Sequence, residues 1–311
     1  MLKLRLFFGA VLIAALVGLV YADDRLSSVT AGDMPDFCMR LGIHRCDGLL
    51  ITLVILTLVM LAAVELHRLF TAAGHNPLKA WPAMASAGLV LIPFLVANGP
   101  LADEVGRNAA DNQCTVAWLT VSLMVTALLV ASRRRIQGAT GDFATTLLMI
   151  AYLGLLSQYL VRLRVCHAEG AAWLLLYVIG VVKFCDIGAY FTGRAIGRHK
   201  MIVWLSPNKT FEGLAGGILC SMAVAVLIPV AVRAWASGGS PVATMLPEPG
   251  TACVFGLLMA LVGQAGDLLE SLFKRSAQAK DSANAIPAFG GVLDVIDSPL
   301  LAAPIAYWML V

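Results

Sequence analysis

Residues 48–66 read GLLITLVILTLVMLAAVEL, and this stretch decides the fold class. Nineteen nearly continuous apolar residues wound as helix reach about 28 Å, which matches the hydrocarbon core of a bilayer. Working outward, runs of the same kind recur near residues 5–22, 82–98, 115–132, 143–161, 171–191, 212–232, 250–270 and 291–311. With 59% hydrophobic and 13% charged residues, and a mean hydropathy of +0.84, the chain reads as an all-α, polytopic membrane protein of about nine spans. The loops are too short to hold a second core, so residues 1–311 form a single membrane domain without internal repeats.

Lys and Arg counted by side give the expected topology. With the N-terminus inside, fourteen fall on inner segments and seven on outer ones, which predicts N-in and C-out. The net charge of +3 is too small to point to nucleic acid; the basic residues suit orientation and anionic head groups. The first run, ending Val20-Tyr21-Ala22, also has the pattern of a signal peptide with a small-residue cleavage site. Cys38, Cys46, Cys114 and Cys166 fall on the outer side, where they either form two disulfides or remain thiols. Their spacing is not that of a zinc site.

Charge inside or beside spans is expensive and marks function. It gathers on the inner side in two blocks. In residues 183–213, Lys183 and Asp186 share a helical face, glycines at 188, 193 and 197 are interleaved with Arg194, Arg198 and Lys200, and Ser206-Pro207-Asn208-Lys209-Thr210 reads as a loop. Ser206 or Thr210 is placed to cap the span that follows. Glycine lets backbone amides approach an anion, and Arg and Lys neutralise it.

The second block is residues 271–297, SLFKRSAQAKDSANAIPAFGGVLDVID, with six ionisable residues between two apolar segments. Just upstream, Asp267 and Glu270 lie with Lys274 along one helical stripe, and Asp294 and Asp297 share another. Carboxylates such as Asp267, Asp281, Asp294 and Asp297 beside Lys274, Arg275 and Lys280 are the components of a site where a hard divalent cation bridges to phosphate. Salt bridges at a helix end would use the same residues.

This block resembles the signature of the phosphatidate cytidylyltransferase family, Ser-x-x-Lys-Arg, four residues, Lys-Asp, then His-Gly-Gly-x-x-Asp-Arg-x-Asp. Ser271, Lys274, Arg275, Lys280, Asp281, Gly290, Gly291, Asp294 and Asp297 match with the spacing intact. The first block is similar to the family's Asp-x-Gly-Ala-Tyr and Ser-Pro-x-Lys-Thr-x-Glu-Gly segments at Asp186, Gly188, Ala189, Tyr190, Ser206, Pro207, Lys209, Thr210, Glu212 and Gly213. The likeness covers residues 180–300, the expected catalytic half. Phe289 and Val295 stand where the family has His and Arg.

The resemblance implies transfer of a cytidylyl group from CTP to phosphatidate, giving CDP-diacylglycerol and pyrophosphate at the cytoplasmic face of the inner membrane. It implies magnesium as cofactor, held by Asp267, Asp281, Asp294 and Asp297 with Asp186. Lys274, Arg275, Lys280 and Lys209 would bind phosphate, joined by Ser206, Arg194 and the Gly290-Gly291 pair. Relatives often dimerise, so a homodimer is expected. The departures at Phe289 and Val295 keep two alternatives open, a different lipid phosphate as acceptor or a silent lipid- or nucleotide-binding paralogue. A transporter also places charge within spans, but the charges here cluster at one face and no inverted repeat is visible.

Overall fold

A computed structural model describes residues 2–27, 45–99, 104–167, 170–235, 240–279, 282–283 and 290–311. Helix α1 spans Leu2–Ser27, α2 Leu49–Ala72, α3 Trp81–Asn98, α4 Glu104–Ser132 and α5 Ala139–Met149. A π-helical segment, Ile150–Leu155, joins α5 to α6, Leu156–Val165. Then come α7, Ala171–Ile196, an antiparallel hairpin of β1, Lys200–Ile202, and β2, Ser206–Thr210, and α8, Phe211–Trp235. Short α9, Pro241–Met245, precedes α10, Pro249–Ser276, and α11, Leu293–Leu310.

The fold is all-α, as expected, and eight helical segments among the described residues are long and apolar enough to cross a membrane. They coincide with the second to ninth expected spans. The first expected span lies in α1, which is not one of the eight and runs unbroken through Ala22 and Asp23. Asp23 is fully buried, accepts the N–H groups of Leu50 and Ile51 at 2.9 and 3.2 Å, and pairs with the buried Arg164 of α6. It thus caps α2, whose first turn has free donors, and ties α1 to the bundle.

One expectation on local structure needs correction, and one open alternative is narrowed. The stretch read as a loop at Ser206–Thr210 is β2, paired with β1 through Lys200 opposite Thr210 and Ile202 opposite Ser206. The cap reading holds at its end, where Thr210 Oγ1 accepts the Gly213 N–H at 3.1 Å. Cys114 is a free, exposed thiol, so two disulfides among the four outer cysteines are not formed; Cys38 lies outside the described residues.

The core lies where α7 packs along α8, α8 against α10, and α10 against α11, with α2 and the π segment closing the other side. Small residues permit the closest approaches, as is usual between membrane helices. A Cβ on Gly266 would meet the Asp297 carbonyl oxygen at 2.7 Å, so only glycine lets α10 and α11 cross here. That crossing brings the acidic stripe of α10 against the acidic start of α11.

Candidate active site

One helical stripe and one helix start build the centre. Asp267 and Glu270 on α10 and Asp297 on α11 present carboxylate oxygens that all lie within 4.8 Å of one another. Glu270 and Asp297 are buried. Like charges at this separation repel by about 4 kcal/mol per pair at an effective dielectric near 20, so nearby cations stabilise the ionised trio. Two lysines supply part of the need. Lys209, on β2, reaches Asp267 Oδ2 at 2.7 Å and donates to Gln264 Oε1 at 3.0 Å. Lys274 bridges Glu270 Oε2 at 2.5 Å and Asp294 Oδ1 at 2.6 Å.

The polar chain continues away from the trio. Gln264 Nε2 donates to Asp186 Oδ1 at 3.5 Å, and Asp186 Oδ2 meets Lys183 Nζ at 3.4 Å. Along the whole chain, the carboxylates of Asp186, Asp267, Glu270, Asp294 and Asp297 face the ammonium groups of Lys183, Lys209 and Lys274. Among the described residues Glu270 Oε1 is buried with no hydrogen-bond partner, an orphaned lone-pair site of the kind that a metal ligand leaves. The donor set is all carboxylate oxygen, which suits magnesium better than a softer ion. The residues present therefore fit a divalent cation, with Asp267, Glu270 and Asp297 to hold it.

Asp294 has a different surrounding from the one its spacing suggests. Its Oδ1 takes Lys274, while Oδ2 accepts the N–H groups of Gly291 and Ser282 at 2.7 and 3.2 Å and the Ser282 hydroxyl at 2.9 Å. It organises the turn before α11 and holds the ammonium of Lys274 beside the trio. The two glycines of that turn are both needed. Gly290 has φ +98°, and a Cβ there would meet Asp294 Oδ2 at 2.6 Å; a Cβ on Gly291 would collide with Ser282 and Glu65.

Glu65, from α2, completes this turn and was not singled out by its sequence context. Buried at 4% exposure, it accepts the N–H groups of Val292 and Leu293 and the Ser282 hydroxyl, all at 2.9 Å. A carboxylate at the start of α11 also sits at the favourable end of the helix dipole. A second contribution from the N-terminal half is Tyr152, in the π segment. Its ring meets Phe273 edge-on at 5.4 Å, and its buried hydroxyl, without a hydrogen-bond partner among the described residues, lies within electrostatic reach of Asp297, Glu270 and Asp267. π-helical turns recur at functional sites.

The other expected residues are placed around this centre. Arg275 donates from Nε to the Leu205 carbonyl at 3.2 Å, holding the tip of the hairpin that carries Lys209. Ser206 opens β2. Arg194 donates to the Tyr190 hydroxyl at 2.9 Å on the exposed end of α7, apart from the trio. Val295 lies in the first turn of α11. Lys280, Asp281 and Phe289 lie outside the described residues.

The bundle of membrane-length apolar helices thus carries a carboxylate trio with flanking lysines. A family model described as the cytidylyltransferase family matches residues 37–311. The chain belongs to the cytidylyltransferase family. A protein of Bacillus subtilis named phosphatidate cytidylyltransferase is 30% identical over 271 residues, covering 85% of this chain and 95% of the relative. One of the same name from Staphylococcus epidermidis is 33% identical over 193 residues, 62% of this chain and 68% of the relative. A third, from Staphylococcus aureus, is 31% identical over 231 residues, 74% and 79%. The family match runs through both blocks and through α2, so Glu65 lies inside it along with the trio. The chain is a nucleotidyltransferase of this family.

Proposed function

We propose that the protein transfers the cytidylyl group of CTP to phosphatidate, forming CDP-diacylglycerol and releasing pyrophosphate. The observation that carries this reading is the trio of Asp267, Glu270 and Asp297, two of them buried, flanked by Lys209 and Lys274 and set in membrane-spanning helices of a cytidylyltransferase. A phosphate oxygen of the lipid attacks the α-phosphorus of CTP, the new P–O bond forms, and the bond to pyrophosphate breaks. The attacking phosphate is already anionic at neutral pH, so the step needs no strong general base, and the His replaced by Phe289 is dispensable on that account. What the step does need is relief of charge, because two polyanions meet; fixed cations supply it with no reorganisation cost.

Lys209 and Lys274 are placed for that task, each held by a carboxylate that fixes its direction. Asp267, Glu270 and Asp297 would hold magnesium, which when bound screens the phosphate oxygens and acts as a template for both substrates. Lys183 and Asp186 extend the polar path deeper among the spans. The twofold excess of Lys and Arg on one set of loops supports an N-in, C-out orientation with the site opening to the cytoplasm, where CTP is found.

The acceptor is tested by competition. Given CTP and an equimolar mixture of phosphatidate, an ether-lipid phosphate and an isoprenoid phosphate, the purified protein is expected to yield CDP-diacylglycerol as the main product by mass spectrometry. A dominant CDP-ether or CDP-isoprenoid product would assign the changes at Phe289 and Val295 to acceptor choice and overturn phosphatidate as the substrate.

A further inference from the structure

A groove of about 700 Å³ opens between α1, α7 and α8, with α9 at one end. Leu16, Trp173, Gly180, Ile228 and Trp235 are among its walls, and Lys183 is the one charged residue lining it among the described residues. Size and lining are those of a small-molecule site, largely apolar with one oriented polar group. Lys183 is also the end of the polar chain that runs through Asp186, Gln264 and Lys209 to Asp267. The groove therefore begins where the catalytic centre ends.

From this continuity we infer that the groove receives an acyl chain of the lipid acceptor, with Lys183 marking the passage from hydrocarbon to phosphate. The inference rests on the lipid-phosphate cytidylyltransferase reading above. A phosphate drawn to the trio sits well inside the bundle, so its tail must lie along protein before it reaches bulk lipid. From Lys183 back to Trp173 the α7 helix rises about 15 Å, enough to line some ten to twelve methylenes of an extended chain. The cation at one end and hydrocarbon along the rest are complementary to a phosphate ester of a long acyl glycerol. They are not complementary to a nucleotide.

Gly180 offers a clean test, because it lines the groove and a Cβ there meets nothing within 4 Å. The displaced tail returns to detergent, not to water, so what is lost is its packing against the wall, small for each methylene and summed over the several displaced. For Gly180→Phe, KM for dipalmitoyl phosphatidate is expected to rise about tenfold or more, with kcat and KM for dihexanoyl phosphatidate as in wild type. Gly180→Leu should show the same split to a smaller extent, and it serves if the Phe variant does not fold. Unchanged KM for both lipids would overturn the inference. So would unchanged KM together with loss of a cross-linkable dimer, since the groove would then be an interface between two copies. If wild type makes no CDP-lipid at all, the enzymatic reading fails, and the groove is judged by retention of tritiated dipalmitoyl phosphatidate in detergent. Retention about tenfold weaker in Gly180→Phe would support the groove, and equal retention would refute it.

Discussion

Asp297→Asn is expected to lower magnesium-stimulated kcat by about 10²- to 10³-fold, the range for removing one preorganised electrostatic group from a reaction centre. The substitution is nearly isosteric. The Asn amide oxygen can still accept the Ser298 N–H, now 2.6 Å from Asp297 Oδ1. What disappears is one charge of a trio whose oxygens lie within 4.8 Å of one another. The effect on stability should therefore run opposite to the effect on activity. Without metal the three carboxylates repel, so the variant is expected to unfold at an equal or higher temperature than wild type in EDTA. Magnesium should raise the Tm of wild type, because a ligand that binds only the folded state stabilises it, and should raise that of the variant far less. Wild-type turnover with an unchanged magnesium response would show that Asp297 is no ligand.

Glu65→Leu is expected to remove activity by another route. The change leaves the Val292 and Leu293 N–H groups buried without acceptors, each costing about 1–3 kcal/mol, and frees the Ser282 hydroxyl that also holds Asp294. Tm should fall clearly and turnover should be lost together with it. Glu65→Gln keeps one accepting oxygen but turns an amide NH₂ toward a donor, so it should fold and show a partial deficit. Its characteristic mark is a raised magnesium requirement at near-normal Tm, because Asp294 and Lys274 lose their register beside the trio. If Glu65→Leu matched wild type in both Tm and turnover, the turn before α11 would not depend on this carboxylate.

These two residues show what can be read from a chain of this kind. Asp297 was visible because membrane spans are long, apolar and sharply bounded, so an acid within one stands out, and the three-residue spacing from Asp294 gives the face. The stripe of Asp267, Glu270 and Lys274 was visible for the same reason. Which acids gather into the trio and which is taken up by the turn was not, since it depends on how closely α10 and α11 cross at Gly266. Asp294 is taken up by Lys274 and the turn, and Glu270 joins the trio in its place. Glu65 carried the same signal as Asp297, a lone acid in an apolar run, but its partners lie more than 200 residues away and nothing local names them. The β hairpin escaped because its strands are three and five residues long and contain Ser-Pro, a turn signal. Tyr152 owes its position to a π turn that no spacing rule predicts.

The most direct test of the account is the wild-type reaction itself. Protein purified in detergent is given CTP labelled at the α-phosphorus and phosphatidate, with and without magnesium. The expected result is a chloroform-soluble labelled CDP-lipid, one pyrophosphate released for each, and abolition of both by EDTA with recovery on adding magnesium back. Folded protein that forms no labelled lipid, or forms it equally well in EDTA, would contradict the assignment of the carboxylate trio as a metal-dependent cytidylyl-transfer centre.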